Sequence, residues 1–116
     1  MNESILTSVK DQLSLPPEDE SFDKELVIFI NAAFARLTLL GVGPIEGFSI
    51  QDDSTCWNDF VMDITQESLA KNYVFLKVKV MFDPPTNSSL SKAIEEQIKE
   101  YEYLLKVEAE DYNANG

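Results

Sequence analysis

The 116-residue chain contains no histidine and a single cysteine, Cys56. Without histidine it lacks the side chain that most often serves as general base near neutral pH and most often ligates transition metals. One cysteine excludes an internal disulfide and a thiolate-built zinc or iron–sulfur centre, and no imidazole exists to activate Cys56 as a nucleophile. Trp57 beside it points instead to a packed thiol, in a protein made in a reducing cytoplasm and not exported. Basic residues are also scarce. Nine Lys and Arg face twenty-one Asp and Glu, for a net charge of −12 and a pI near 4.2. Specific nucleic-acid binding, which draws on clustered cations, is therefore not expected, and neither is attachment to anionic lipid. No apolar run reaches the roughly 18 residues of a membrane helix. The start MNESILTSVKDQL has no basic segment followed by an apolar one, so no signal peptide is expected.

What is present is helical periodicity around one long stretch, Ser21 to Gly41. Leu26, Ile30, Ala33, Leu37 and Leu40 recur at spacings of four, three, four and three, which aligns them on one side of a helix. Val27 and Phe34 widen the stripe, and Ala32, Ala33 and Ala35 keep part of the surface thin enough for close approach of another helix. Ser21 offers an N-cap oxygen, Asp23 suits the first turn and Gly41 can close the far end. This helix is expected at the centre of a single domain spanning 1–116, with an ordered core over about 4–107. A chain of this size buries about 65% of its unfolded surface, enough for one core.

Before it, Ile5, Val9 and Leu13 predict a short helix with a narrow apolar edge, stopped by Pro16 and Pro17, and Glu18–Glu20 predict a solvated acidic linker. After it, Gly41, Gly43 and Gly47 with Pro44 predict a long irregular loop whose apolar anchors are Phe48, Ile50, Trp57 and Phe60, the last two on one short helical turn. Residues 64–83 carry two periods. Leu76, Val78, Val80 and Phe82 alternate as in a strand, whereas Leu69, Tyr73, Leu76 and Val80 follow a helix. A Thr65 cap, an Ile64–Leu69 staple and the run ESLAKN favour a helix ending at Asp83. Finally Leu90, Ile94, Ile98, Tyr101 and Leu105 make one clean stripe, capped by Asn87 or Ser88 and lined by Glu95–Lys99 and Glu102–Lys106 pairs. Past Val107 the apolar period ends, and residues 108–116 are expected to be a loose tail.

No chemistry-bearing motif survives inspection. A GxGxxG register from Gly41 places its third glycine at Glu46, and no Gly-Lys-Ser/Thr follows. Asp52, Asp53, Asp59 and Asp63 fail an EF-hand register, which would set Trp57 where glycine is required. Neither an enzyme nor a cofactor or metal site is expected.

Four stretches taken together carry a resemblance: the long helix ending in LLGVGP, the segment EGFSI followed by Trp57-Asn58-Asp59-Phe60, the run YVFLKVKVMFDPP, and the closing helix EEQIKEYEYLLKVEAE. Over about residues 4–110 the chain resembles the small head–tail connector (head-completion or adaptor) proteins of tailed bacteriophages and prophages. That resemblance implies an all-α bundle of four to five helices with one long Gly-rich loop, and settles residues 76–82 as helix. It implies a structural virion protein, made in the bacterial cytoplasm, that forms a ring beneath the portal protein at the head–tail junction. Its partners would be portal, a head-closure or tail component, and further copies of itself, with the isolated subunit free to be a monomer. Such a subunit needs two different faces that meet head to tail. The sequence offers the loop residues Gly41, Gly43, Pro44, Gly47 and Phe48, and the lysines Lys71, Lys77 and Lys79 of the only locally basic helix, as interface candidates. The competing assignment for the lysines is that they frame the core stripe and snorkel. Two other functions compete: an acidic DNA-mimic inhibitor of the antirestriction type, argued from the −12 charge, and a small tail-assembly chaperone. A mimic needs its carboxylates in rows, whereas these are interleaved with lysines.

Overall fold

The computed structural model describes residues 3–60 and 64–115, with side chains described up to residue 110 except for those of 64 and 65. Its elements are α1 (Ile5–Gln12), α2 (Asp23–Leu39), α3 (Trp57–Phe60), α4 (Ile64–Phe82) and α5 (Ser88–Asn115). The protein is an all-α bundle, as expected. Among the described residues the β pairing is one isolated antiparallel bridge, Ser4 with Cys56. α2 and α5 both pack on α4, and α1 lies across α2 and α4. The place expected for α2 alone is therefore shared with α4. Buried residues from all five helices form a single cluster.

The double period over 69–82 has a physical cause in this arrangement. α4 touches three helices, so apolar residues are needed on most of its circumference. Ala70, Tyr73, Val74 and Val78 are fully buried at helical spacing, while Leu69, Leu76, Val80 and Phe82 pack around them half-buried. The helix is already formed at Ile64, so Thr65 lies inside it and is not its cap. The proposed staple rests on the Ile64 side chain, outside the described set.

Helix ends follow two repeats of one device. At the end of α2 the Gly41 amide donates to the Thr38 carbonyl at 3.0 Å and the Val42 amide to that of Leu37 at 2.9 Å, with Gly41 at φ +83°. This is a Schellman motif, and its hydrophobic contact is supplied by buried Val42 and Leu37. At the end of α1 the Ser14 amide donates to Asp11 and the Leu15 amide to Lys10, with Ser14 at φ +60°. That motif ends α1 at Gln12, upstream of the prolines expected to stop it. Nor is α1 apolar on a narrow edge only: Leu6, Ser8 and Lys10 are buried with Ile5 and Val9. Lys10 reaches out of the core to donate to the Pro17 carbonyl at 3.0 Å and to sit 2.9 Å from Asp23 Oδ1, folding the linker back onto α1.

The start of α2 also differs from expectation. Phe22 holds the cap position without a side-chain bond, while the Ser21 amide turns back to Asp19 Oδ1 at 3.0 Å. Hydrogen bonds from Ser21 keep the exposed Asp19 carboxyl below its ordinary range. Asp23 and Glu25 occupy the first turn, where the helix dipole favours them. Of the three alanines, only Ala33 faces the core; Ala32 and Ala35 are exposed. At α5 the Leu90 amide donates to Asn87 Oδ1 at 3.0 Å, so Asn87 is the cap. The segment past Val107, expected to leave the helix, continues it to Asn115, and Ala109 is 4% exposed. Alanine and acidic residues sustain a helix without a regular apolar stripe, and Ala109 is small enough to pack near Gly41.

One polar contact joins three helices. Glu102 of α5 accepts from the Tyr73 hydroxyl of α4 at 2.8 Å and from Arg36 of α2 at 3.3 Å. Glu102 thus turns inward to these partners instead of pairing with Lys106. Burial pushes the Tyr73 hydroxyl far above its ordinary value of 10.0, and the hydrogen bond to Glu102 adds to this.

Two outcomes are expected. Replacing Ser14 with glycine removes a left-handed strain and should raise stability by about 0.5–1 kcal/mol in urea melts. Tyr73→Phe should cost about 1.5–2 kcal/mol at neutral pH, as a hydrogen bond to a charged acceptor is lost. Because the folded pKa of Tyr73 is raised, its stabilisation is complete below the unfolded value and declines as pH rises past 10.0. The gap between wild type and Tyr73→Phe should therefore shrink by about 1.4 kcal/mol between pH 9 and pH 11. A gap that stays constant would show Tyr73 is not shielded.

Candidate functional site

The segment between α2 and α3 is fastened to the bundle at several points and left free at one. Its first fastening is the Schellman turn at Gly41 and Val42. Its second is Gly43, at φ +87°, where an added Cβ would lie 2.7 Å from Cε1 of Phe60. The Phe60 ring fills the space a side chain would take, so this glycine is required twice, for conformation and for room. Phe48 makes the third, with ring centroids 4.8 Å from Phe34 and 5.1 Å from Phe60. Asn31 makes the fourth. In the middle of α2, its side-chain amide donates to the Ile50 carbonyl at 2.9 Å and accepts from the Ile50 amide at 2.8 Å. That pair satisfies both backbone groups of Ile50, a residue 2% exposed, as a neighbouring strand would.

Further on, Asp52 accepts from the Ser54 amide at 2.9 Å and from its hydroxyl, which holds the exposed carboxyl below its ordinary range. The Ile5 amide then donates to the Thr55 carbonyl at 3.0 Å and the Trp57 amide to Glu3 at 2.9 Å. Asp59 caps α3 by accepting from the Cys56 amide at 2.8 Å. The Cys56 thiol is half-buried.

Between Gly43 and Phe48 the chain leaves the surface as one turn, closed by the Gly47 amide donating to the Pro44 carbonyl at 3.0 Å. Gly47, at φ +96°, begins its return. Ile45 stands at the corner with 98% of its surface exposed, and Leu39, in the last turn of α2, is 78% exposed. Of the loop candidates, Gly41, Gly43, Pro44 and Gly47 shape this turn, whereas Phe48 faces inward as an anchor. Ile45 is the residue sequence reasoning passed over. Its signal was an isoleucine set among Gly, Pro and Glu, where no core position is available.

The lysine candidates are not brought together. Lys71 lies 3.2 Å from Glu3 and 5.6 Å from the centroid of the Trp57 ring, so it is engaged within the chain. Lys77 is half-buried and Lys79 exposed. Two residues apart on a helix, they diverge by about 160° and share no edge. Among the described residues, no group of three or more Asp, Glu, Cys or His is placed to hold a metal ion, and no helix is long and apolar enough to cross a membrane.

Gly43→Ala should destabilise the protein by about 2–3 kcal/mol, combining left-handed strain with the contact on Phe60, whereas Gly41→Ala, whose added Cβ would meet Ala109 at an unstrained 3.9 Å, should cost about 1 kcal/mol. Equal losses in denaturant melts would show that the Phe60 contact is immaterial.

No curated protein sequence and no solved structure matches the chain. A family profile described as phage connector protein matches residues 5–112, which runs from the first residue of α1 into the last turns of α5. The match spans every helix of the bundle, and the chain belongs to the phage connector protein family, a family of structural proteins.

Proposed function

We propose that this connector protein forms a ring beneath the portal of a DNA-filled head and presents a platform to the next connector or tail component. The observation that carries the reading is the Pro44–Gly47 turn: an apolar side chain held at full exposure by a segment fastened on both sides. An exposed isoleucine costs solubility and gains nothing for the monomer, which suits a residue buried only on assembly. Ile45 with Leu39 is the proposed contact to portal, and Lys79, exposed and without an ion pair among the described residues, is a second contact. The acidic exterior suits a protein beside a DNA exit channel, because it does not hold passing duplex. Catalysis plays no part in this role.

The DNA-mimic reading is less well supported. Asp23 and Glu102 are tied to Lys10 and Arg36, and Asp19, Asp52 and Asp59 serve local turns and caps. Carboxylates so employed are not a row at phosphate spacing.

The test is co-sedimentation with portal-bearing heads. Ile45→Ser and Lys79→Glu should each weaken attachment, the former by about tenfold or more, while far-UV circular dichroism stays unchanged. Attachment at wild-type levels in both variants would remove this turn and this lysine from the contact.

A further inference from the structure

The helix α2 has two apolar faces, and the bundle uses one of them. Leu26, Ile30, Ala33, Phe34 and Leu37 enter the core. On the far side Ile28, Ala32, Ala35 and Leu39 recur at spacings of four, three and four, within about 60° of arc around the helix. All four are exposed, Ile28 at 66% and Leu39 at 78%. Leu39 lies eleven residues after Ile28, so the strip runs for about 17 Å along the axis. Between its ends it carries no charge, because Asn31 turns aside to Ile50 and Arg36 to Glu102. An outer helix face is ordinarily polar, and one left apolar over this length is where another helix packs.

The strip reads the same from either end: large, small, small, large. A two-fold axis passing between Ala32 and Ala35 maps it onto itself. A second copy of α2 laid antiparallel therefore sets Ile28 against the other copy's Leu39 and Ala32 against its Ala35, each contact occurring twice. The alanine layers let the two helix axes approach to about 8 Å, the close end of helix packing, while isoleucine and leucine fill the ends. Charge selects this direction over the parallel one. Beside the first turns of α2 stand Glu20, Glu25, Asp52 and Asp53, with Lys24 among them. Parallel pairing presses two such acidic ends together and aligns the helix dipoles, whereas antiparallel pairing holds the ends more than about 17 Å apart, beyond the screening length of ordinary buffer.

We infer that Ile28, Ala32, Ala35 and Leu39 form a self-complementary face through which two free copies of this chain pair antiparallel. The contact is isologous and closed, so it builds no ring and belongs to the subunit before assembly. It stands independently of the proposed ring. Leu39 takes part both here and in the proposed portal contact, so the pair separates on attachment. One helix face makes a small interface, and the dimer is accordingly weak, with a dissociation constant on the order of 100 µM. Each copy carries a net charge of −12, so the apolar contact works against repulsion and tightens as salt screens it.

The test is sedimentation equilibrium of the wild-type chain from about 5 µM to about 1 mM, which should pass from monomer to dimer. Raising NaCl from about 50 mM to about 500 mM should tighten the dimer about threefold or more. Ala32→Glu with Ala35→Glu, both at exposed positions, should raise the dissociation constant by about tenfold or more while helix content stays unchanged. Direction is read from disulfides. Copies carrying Ile28→Cys and copies carrying Leu39→Cys, each also Cys56→Ser, are mixed and oxidised. Unlike copies should be joined about fivefold or more over like copies, because like positions lie about 17 Å apart in the antiparallel pair, beyond the reach of a disulfide. A monomer throughout, a dimer loosened by salt, a dimer indifferent to the two glutamates, or disulfides confined to like copies would each overturn this pairing.

Discussion

Trp57 has one N–H, and a ring 2% exposed leaves it nowhere to go but to a partner inside the protein. That partner is the Ser8 hydroxyl at 2.9 Å, which in turn donates to the Ile5 carbonyl at 2.8 Å. The rest of the molecule is arranged around this short chain. The indole stacks edge-on against Phe75 of α4 at 5.9 Å and lies 6.0 Å from Phe34 of α2, so one side chain meets three helices. The flanking backbone pairs with Glu3 and Ile5, which fixes where α1 starts. With both ends of the segment after α2 thus set, the path between them has little freedom.

That constraint explains why the intervening loop is fastened to the core at several points. A stretch of this length would ordinarily carry unsatisfied backbone groups if it ran against a core. Asn31 answers for Ile50, the Schellman turn answers for the end of α2, and Phe48 and Gly43 pack on Phe60 and Phe34. The turn at Pro44–Gly47 is what remains once these demands are met. Its exposed isoleucine stands on a segment fastened to the bundle on both sides.

Much of the fold was legible because it depends on period and termination. Stripes at three and four residues, Asn87 before α5, and Gly41 after α2 report local physics that the sequence states directly. Residues 69–82 resisted that reading, because a helix contacted on three sides has no polar face to reveal its period. The cap misread at the start of α2 was one where the polar residue had another use, since Ser21 serves the Asp19 turn. The continuation of α5 past Val107 was hidden for a related reason, since a helix can be held by one small buried residue such as Ala109.

From sequence alone came the class of the protein: acidic, helical, with no histidine and one cysteine, and similar to phage connectors along nearly its whole length. Those properties are sums over residues or local spacings, and neither needs coordinates. Only the tertiary structure decided which charged and apolar groups remain available to a partner. Lys71 is spent on Glu3 and Glu102 on Tyr73 and Arg36, while Ile45 and the lysines of α5 stay exposed. Availability depends on what folds back over a side chain from residues distant in sequence, and no local pattern records that.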